Sequence, residues 1–329
     1  DAYRESTAPI RDFFWEEVIG KLPPATEPMN PRSRLVYDEP DWTGYEVILD
    51  VYPDVFASGI LLLPKDLRPG EKRPVVVCQH GLEGTPQKTI DSGEDHYNEY
   101  AARLCRRGFI TYAPQNPYVG GDAFRALQRL LNPLGKSLFS IIARQHERAL
   151  EWLSSLKCAD ATRIGFYGLS YGGVSAMRLP ALLEQYACSI CSANFNDWAL
   201  KVAGWDHPFG YVFTGEFEMP EFDLGHALNY AEMAALIAPA LSWLSGVIKM
   251  ASPPTKSLLA STRGSAATTV VSESPIAPRS STSPAAMTST PRVRSPSCTV
   301  TSTGRRKSNS RRTSPVIAPP ASPPSLGHT

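Results

Sequence analysis

Apolar and polar positions along the chain follow two different grammars, one up to Pro239 and another after it. The opening run Pro9-Ile-Arg-Asp-Phe-Phe-Trp-Glu-Glu-Val-Ile-Gly20 spaces its apolar residues as a short amphipathic helix does, and Gly20 and Pro23 mark its end. Three runs of alternating polarity follow, Ser33–Asp38, Tyr45–Tyr52 and Ala57–Leu63, separated by turns bearing Pro and Gly. They predict antiparallel strands at the start of a sheet. Pro74-Val-Val-Val-Cys-Gln-His80 is continuously apolar up to Cys78, as a strand covered on both faces must be. From there the pattern alternates. Helices are predicted near Tyr97–Arg107, Lys136–Leu156 and Tyr171–Glu184, each followed by a strand, at Phe109–Ala113, Arg163–Tyr167 and Ala187–Ala193. A looser aromatic-rich stretch, Trp198–Asp223, precedes a last helical pattern at Ala227–Ile237. Strands alternating with helices imply right-handed crossovers, hence an α/β fold with a doubly wound, mostly parallel sheet.

After Pro239 no periodicity is sustained. Residues 240–329 hold 20 Ser, 12 Thr and 12 Pro, too little apolar surface to offset the entropy of ordering them. The whole chain of 329 residues has a net charge of +1, which favours neither nucleic acid nor a membrane surface as partner. That figure hides an asymmetry. Residues 1–239 carry 22 Lys/Arg against 31 Asp/Glu, a balance of −9, and residues 240–329 carry 11 against one, a balance of +10. The division predicts one α/β domain over residues 1–239 and a disordered tail over 240–329. The six cysteines form no paired framework. Cys188 and Cys191 have metal-binding spacing but lie in the apolar run Ala187–Ala193 without a second pair, so they read as buried small residues. No metal or cofactor is expected. No stretch is long and apolar enough for a membrane span. The chain starts at Asp1 without an initiator Met or a signal-peptide pattern, which suggests a processed or clipped beginning and leaves its compartment and oligomeric state unread.

The chemistry centres on Gly168-Leu-Ser170-Tyr-Gly172, extended by Gly173. A serine flanked by glycines two residues away on each side, between a predicted strand and a predicted helix, suits a chain reversal too tight for neighbouring side chains. Such a turn lifts the hydroxyl above the sheet, at a helix start whose amides favour developing negative charge. Ser170 is therefore the candidate nucleophile and the Tyr171 amide a candidate oxyanion donor. The strand Pro74–His80 runs into His80-Gly-Leu82-Glu-Gly84, a glycine-rich loop suited to supply the second donor from the Leu82 amide. His80 and Gly81 read as residues that shape this loop, with His80 as general base the less favoured role.

These motifs carry a resemblance. Gln79-His-Gly-Leu-Glu-Gly84, Leu134-Gly-Lys-Ser-Leu-Phe139, Arg163-Ile-Gly-Phe-Tyr-Gly-Leu-Ser-Tyr-Gly-Gly173, Phe213-Thr-Gly-Glu-Phe-Glu-Met-Pro-Glu221 and Asn229–Pro239 resemble the α/β-hydrolase superfamily. The branch is that of dienelactone-hydrolase-like and acetyl-xylan-esterase-like proteins, over residues 11–239. The resemblance implies an α/β-hydrolase fold and a serine esterase whose substrate is a small-molecule or carbohydrate ester. In such proteins the helix ending in Ala-Pro is followed by a strand, a loop bearing the acid, and later the histidine.

Here that pattern stops. Residues 240–329 contain no Asp, one Glu and one His, His328, and no strand-loop-acid pattern follows Pro239. The sheet is expected to lack its last strands, leaving an exposed edge prone to aggregation. Asp197, in Asn194-Phe-Asn-Asp-Trp198, is a weak substitute acid and reads better as a helix cap. His328 has the local look of a catalytic loop without a preceding strand, and His207 and His226 read as surface or packing residues. A second reading treats the tail as genuine: a non-catalytic α/β scaffold with a basic arm, Arg305-Arg-Lys307 and Arg311-Arg312, for acidic partners. No aromatics interleave these charges after Trp243, so nucleic acid is not an expected partner.

The composition of the tail is that of a GC-rich message read out of frame. The codons of Pro239–Lys256 can be chosen so that each last base, read with the next two, encodes Arg-Pro-Phe-Met-Val-Glu-Arg-Gly-His-Lys-Asp-Gly-Val-Ala-Pro-Asp-Glu, a strand followed by an acidic loop. Sequencing the gene through the Pro239 codon is expected to reveal this second frame, and a gene without it would retire the idea.

Overall fold

The computed structural model describes residues 2–93, 96–206, 210–213 and 223–238, and the backbone of 241–245. The chain opens with helix α1 (Ala2–Phe13), which runs into a π-helical turn at Phe14–Ile19. Strands β1 (Arg32–Asp38), β2 (Trp42–Tyr52), β3 (Val55–Pro64) and β4 (Arg73–Gln79) follow. Then come α2 (Tyr100–Arg106), β5 (Ile110–Gln115), α3 (Asp122–Leu131), α4 (Leu138–Ser155) and β6 (Ala159–Leu169). Helix α5 (Tyr171–Leu182), β7 (Tyr186–Ser192), α6 (Trp198–Ala203), α7 (Leu224–Ala227), α8 (Tyr230–Ile237) and β8 (Leu241–Ser245) complete the described chain.

The strands form one sheet in the order β1-β2-β3-β5-β4-β6-β7-β8. β1, β2, β3 and β5 pair antiparallel, whereas β5, β4, β6, β7 and β8 are parallel. The alternating runs thus make the antiparallel lead-in, and the continuous apolar run of β4 sits in the middle of the parallel part. Its side chains divide between two cores. Val75 and Val77 join the core packed by α4 and α5, whereas Cys78 joins Ile60, Leu62 and Ala113 beneath Tyr100, Ala101, Ala102 and Cys105 of α2. A strand buried on both faces needs no polar alternation, which is why β4 reads as a solid block.

Several elements differ from the sequence expectation. Gly20 does close the first helix, in the left-handed conformation (φ 84°), but the helix starts at Ala2 and carries Pro9 inside it. Tertiary bonds hold those extra turns. The Tyr3 hydroxyl donates to the Ala235 carbonyl, and the buried Arg11 guanidinium donates to the carbonyls of Ala181 and Leu236. Helix α3 was not expected at all. It presents Phe124 and Gln128 to the interior and leaves Leu130 exposed, although Phe124, Leu127 and Leu131 recur at helical spacing in the sequence. No strand is expected directly after Pro239, and β8 corrects that: it pairs with β7 in parallel from Cys188↔Leu241 to Ser192↔Ser245. Leu-Ser-Trp-Leu-Ser is short, yet β7 offers it an unpaired row of backbone groups, and pairing satisfies them. The rest of the tail lies outside the described residues.

Cys188 and Cys191 lie on β7 with free thiols, and three residues along a strand sets them on opposite faces. No helix among the described residues is long and apolar enough to cross a membrane.

Gly59 tests the packing of β3 on β5. A Cβ there would stand 2.6 Å from the Ala113 carbonyl oxygen and 2.6 Å from Tyr112 Cζ. Gly59→Ala is expected to cost about 1–3 kcal/mol through overpacking. The loss should appear as a lower urea midpoint at unchanged slope, and an unshifted midpoint would show that the strands part freely.

Candidate active site

Ser170 stands between the carboxyl end of β6 and the first turn of α5, with φ 60° and ψ −120°. Few residues other than glycine adopt such a backbone, and it persists only where neighbours over-determine it. They do so here. The Ser170 amide donates to the Ser192 carbonyl (3.0 Å), and its own carbonyl accepts from the amides of Gly173 (2.8 Å) and Val174 (3.2 Å). Asn194 Nδ2 adds a third donor at 2.9 Å. The turn closes so tightly that a Cβ on Gly168 would lie 1.9 Å from the Gly172 carbonyl oxygen. A Cβ on Gly172 would lie 2.4 Å from the Gln79 carbonyl oxygen, and one on Gly173 would lie 2.8 Å from that of Ser192. Each collision is with backbone, which cannot swing aside. The three glycines are required by contact, and the serine side chain is left exposed.

The loop after β4 lies against this turn. A Cβ on Gly81 would meet Ser170 Cβ and the Leu169 carbonyl oxygen at 3.2 Å each, and the Tyr97 hydroxyl at 3.0 Å. Hydrogen bonds fix the loop from both sides of the sheet. The Tyr100 hydroxyl donates to the Gln79 carbonyl (2.9 Å), and the Tyr118 hydroxyl donates to that of His80 (2.7 Å). The Gly81 amide donates to the Tyr97 hydroxyl (2.7 Å), so that amide is committed and Leu82 is the next along the loop. Tyr171 is buried, its ring against Tyr118 and Phe139, and its amide opens α5.

His80 is fully buried. Its Nδ1–H donates to the Gly81 carbonyl (2.8 Å), and Nε2 faces the Asn116 amide (3.4 Å). That arrangement shapes the loop and keeps the ring from solvent. Asp197 is the N-cap of α6: Oδ1 accepts from the Leu200 amide (2.8 Å). His226 is exposed beside Asp223, with Nδ1 3.2 Å from Oδ1. His207 and His328 lie outside the described residues. Ser170 and Gly81 are thus brought together, with Leu82 next along the loop, and Asp197 is occupied elsewhere. Sequence reasoning missed the roles of Tyr97, Tyr118 and Asn194, whose partners are distant in sequence and form no motif.

No protein-family model matches the sequence. Among solved structures, the chain is similar to a Bacteroides fragilis protein assigned to the acetyl xylan esterases: TM-score 0.60 at 16% identity, over 74% of this chain and 67% of that one. It is also similar to a glucuronoyl esterase from Solibacter usitatus, with TM-score 0.52 at 17% identity over 75% of each chain. A second glucuronoyl esterase structure from the same organism gives 0.51 at 16% identity over 72% of each. At such identities the likeness speaks to the fold, which is that of the α/β-hydrolases, as the motifs implied.

Behind the loop lies a second buried histidine. His146 Nε2 bonds to Asn116 Oδ1 (3.1 Å) and Nδ1 to the Tyr186 hydroxyl (3.0 Å). Burial lowers His80 from 6.5 to about 4 and His146 to about 3, so both rings are neutral in the folded chain. The unfolded chain takes up these protons near pH 6.5 and the folded chain only near pH 4 and 3. Their contribution is therefore complete above pH 6.5 and lost as the pH falls below it, by about 1.4 kcal/mol per pH unit for each ring. Urea midpoints measured from pH 7.5 to 5 are expected to fall accordingly, and resonances assigned to His80 or His146 that titrate near pH 6.5 in the folded chain would contradict the buried neutral pair.

Proposed function

We propose that this chain is built as a carboxylic-ester hydrolase, with Ser170 as nucleophile and the amides of Leu82 and Tyr171 as oxyanion donors. The observation that carries the reading is the exposed Ser170 hydroxyl on a strained turn at the mouth of α5, in contact with the loop at Gly81. In the reaction Oγ attacks the ester carbonyl as its proton passes to a general base, and negative charge gathers on the carbonyl oxygen, held by preorganised amides. The proton then goes to the alcohol that leaves as the ester C–O bond breaks, giving the acyl-serine that water hydrolyses to free acid and serine. Both similar proteins described above are named as esterases of carbohydrate substrates, which supports an acylated carbohydrate or a related small ester here.

The same reading holds that the site is impaired. A serine needs a histidine to take its proton and an acid to orient that histidine. Asp197 spends its carboxylate on a helix cap, and His80 and His146 are enclosed in neutral networks. We take residues 240–329 as the out-of-frame tail that replaced the segment bearing both groups, β8 included. Activity lower by about 10³–10⁶-fold than that of an intact triad follows.

The occupied carboxylate of Asp197 equally favours a non-catalytic scaffold, and one experiment separates the two. The full chain and its Ser170→Ala variant are treated with a fluorophosphonate and with p-nitrophenyl acetate. Slow labelling confined to Ser170, with little turnover of the ester, is expected. A folded chain that takes no label is a scaffold, and fast serine-dependent turnover would refute the impairment.

A further inference from the structure

Glu83 has the backbone of a glycine. Its φ is 55°, a left-handed conformation that other residues adopt only at an energetic cost. The side chain shows what offsets that cost. One carboxylate oxygen accepts from the Gly120 amide and the other from the Gly121 amide, each at 2.8 Å. Both glycines also have positive φ, 96° and 61°, and Gly121 is the N-cap of α3. Two successive amides turned toward one anion, at the positive end of a helix dipole, hold a carboxylate firmly. Arg125 of α3 adds a cation 3.7 Å away. The Glu83 amide, meanwhile, donates to the Tyr118 carbonyl (3.0 Å), and the Gly84 amide donates to that of Gly81 (3.1 Å).

We infer that Glu83 is a positioning residue of the oxyanion hole, latching the loop Gly81–Gly84 to the start of α3 and so setting the direction of the Leu82 amide. The residue acts through its neighbour and does not touch substrate. The inference rests on the hydrolase reading above. It assigns α3 a purpose that its shallow packing does not: the helix anchors the donor loop through the two amides that lead into it.

The test compares the rate of fluorophosphonate labelling at Ser170 in the full chain, Glu83→Gln and Glu83→Gly, with Ser170→Ala as blank. Glu83→Gly relieves the left-handed backbone and removes the latch, so a backbone role and a side-chain role predict opposite outcomes. Labelling slower by about 10-fold is expected for Glu83→Gly because the loop loses its latch, while relief of the left-handed backbone limits the fall in the unfolding midpoint that the lost charged acceptor causes. Glu83→Gln keeps an acceptor oxygen and should fall between. Amide hydrogen exchange should quicken at Leu82, Gly120 and Gly121 in Glu83→Gly. Labelling of Glu83→Gly at the rate of the unaltered chain, or a loss that merely follows its unfolded fraction, would overturn the role of Glu83 alone. A folded, unaltered chain that takes no label would overturn the hydrolase reading and this inference together.

Discussion

Much of this molecule is arranged around the dihedral angles of one residue. A serine at φ 60° and ψ −120° is unstable in isolation, by an amount on the order of 1–3 kcal/mol, and the surroundings must hold it there. β6 delivers it from the middle of the parallel sheet, between β4 and β7, and α5 leaves from it without an intervening loop. The end of β7 receives its amide, Asn194 grips its carbonyl, and the end of β4 lies so close that Gly172 cannot carry a side chain. Register between three parallel strands therefore matters here more than composition does. A slip of one residue along β6 would invert every side chain and carry the turn away from its neighbours.

The groups around the turn are mostly neutral. Tyr100 and Tyr118 are raised far above the usual phenol range by burial, and His80 and His146 are lowered, so each buried ring serves as a fixed dipole. A neutral, hydrogen-bonded surround gives amide donors more weight than they have in water, because little solvent reorganises to compete with them. At the rim Glu83 meets Arg125 and Asp197 caps α6, whereas Arg178 of α5 is buried against Phe139 and Trp198. The interior positions and the rim fastens.

How much of this was legible differs element by element. The glycines at 168, 172 and 173 announced the turn because the collision that demands them is local: residues four apart, or on the adjacent strand end, leave no room for a Cβ. β2 and β4 were legible because alternation or its absence reports how many faces are covered, whereas β3, read as alternating, is buried on both faces. Helix α3 was legible but missed: Phe124, Leu127 and Leu131 recur at helical spacing over Asp122–Leu131. β8 was not legible, since its five residues take their conformation from the row of backbone groups on β7. Asp197 illustrates a different limit. An acid after the strand that follows Ser170 suits a helix cap better than a triad from sequence, and the position of the Leu200 amide decides for the cap.

By itself, then, the sequence determined the alternation of strands and helices, the site of the sharp turn and the identity of the residue on it. Those follow from periodicity and from steric demands between near neighbours, which a linear chain records. The tertiary structure decided which distant groups hold that turn in place. Tyr97, Tyr118, Asn116, His146 and Asn194 converge on it from separate elements, and Glu83 reaches across to the start of α3. Hydrogen bonds between residues dozens of positions apart leave no periodic trace, because each partner satisfies its own local pattern and their meeting depends on strand order and helix placement. What the chain does with Oγ of Ser170 is governed by those long-range partners as much as by the motif that contains it.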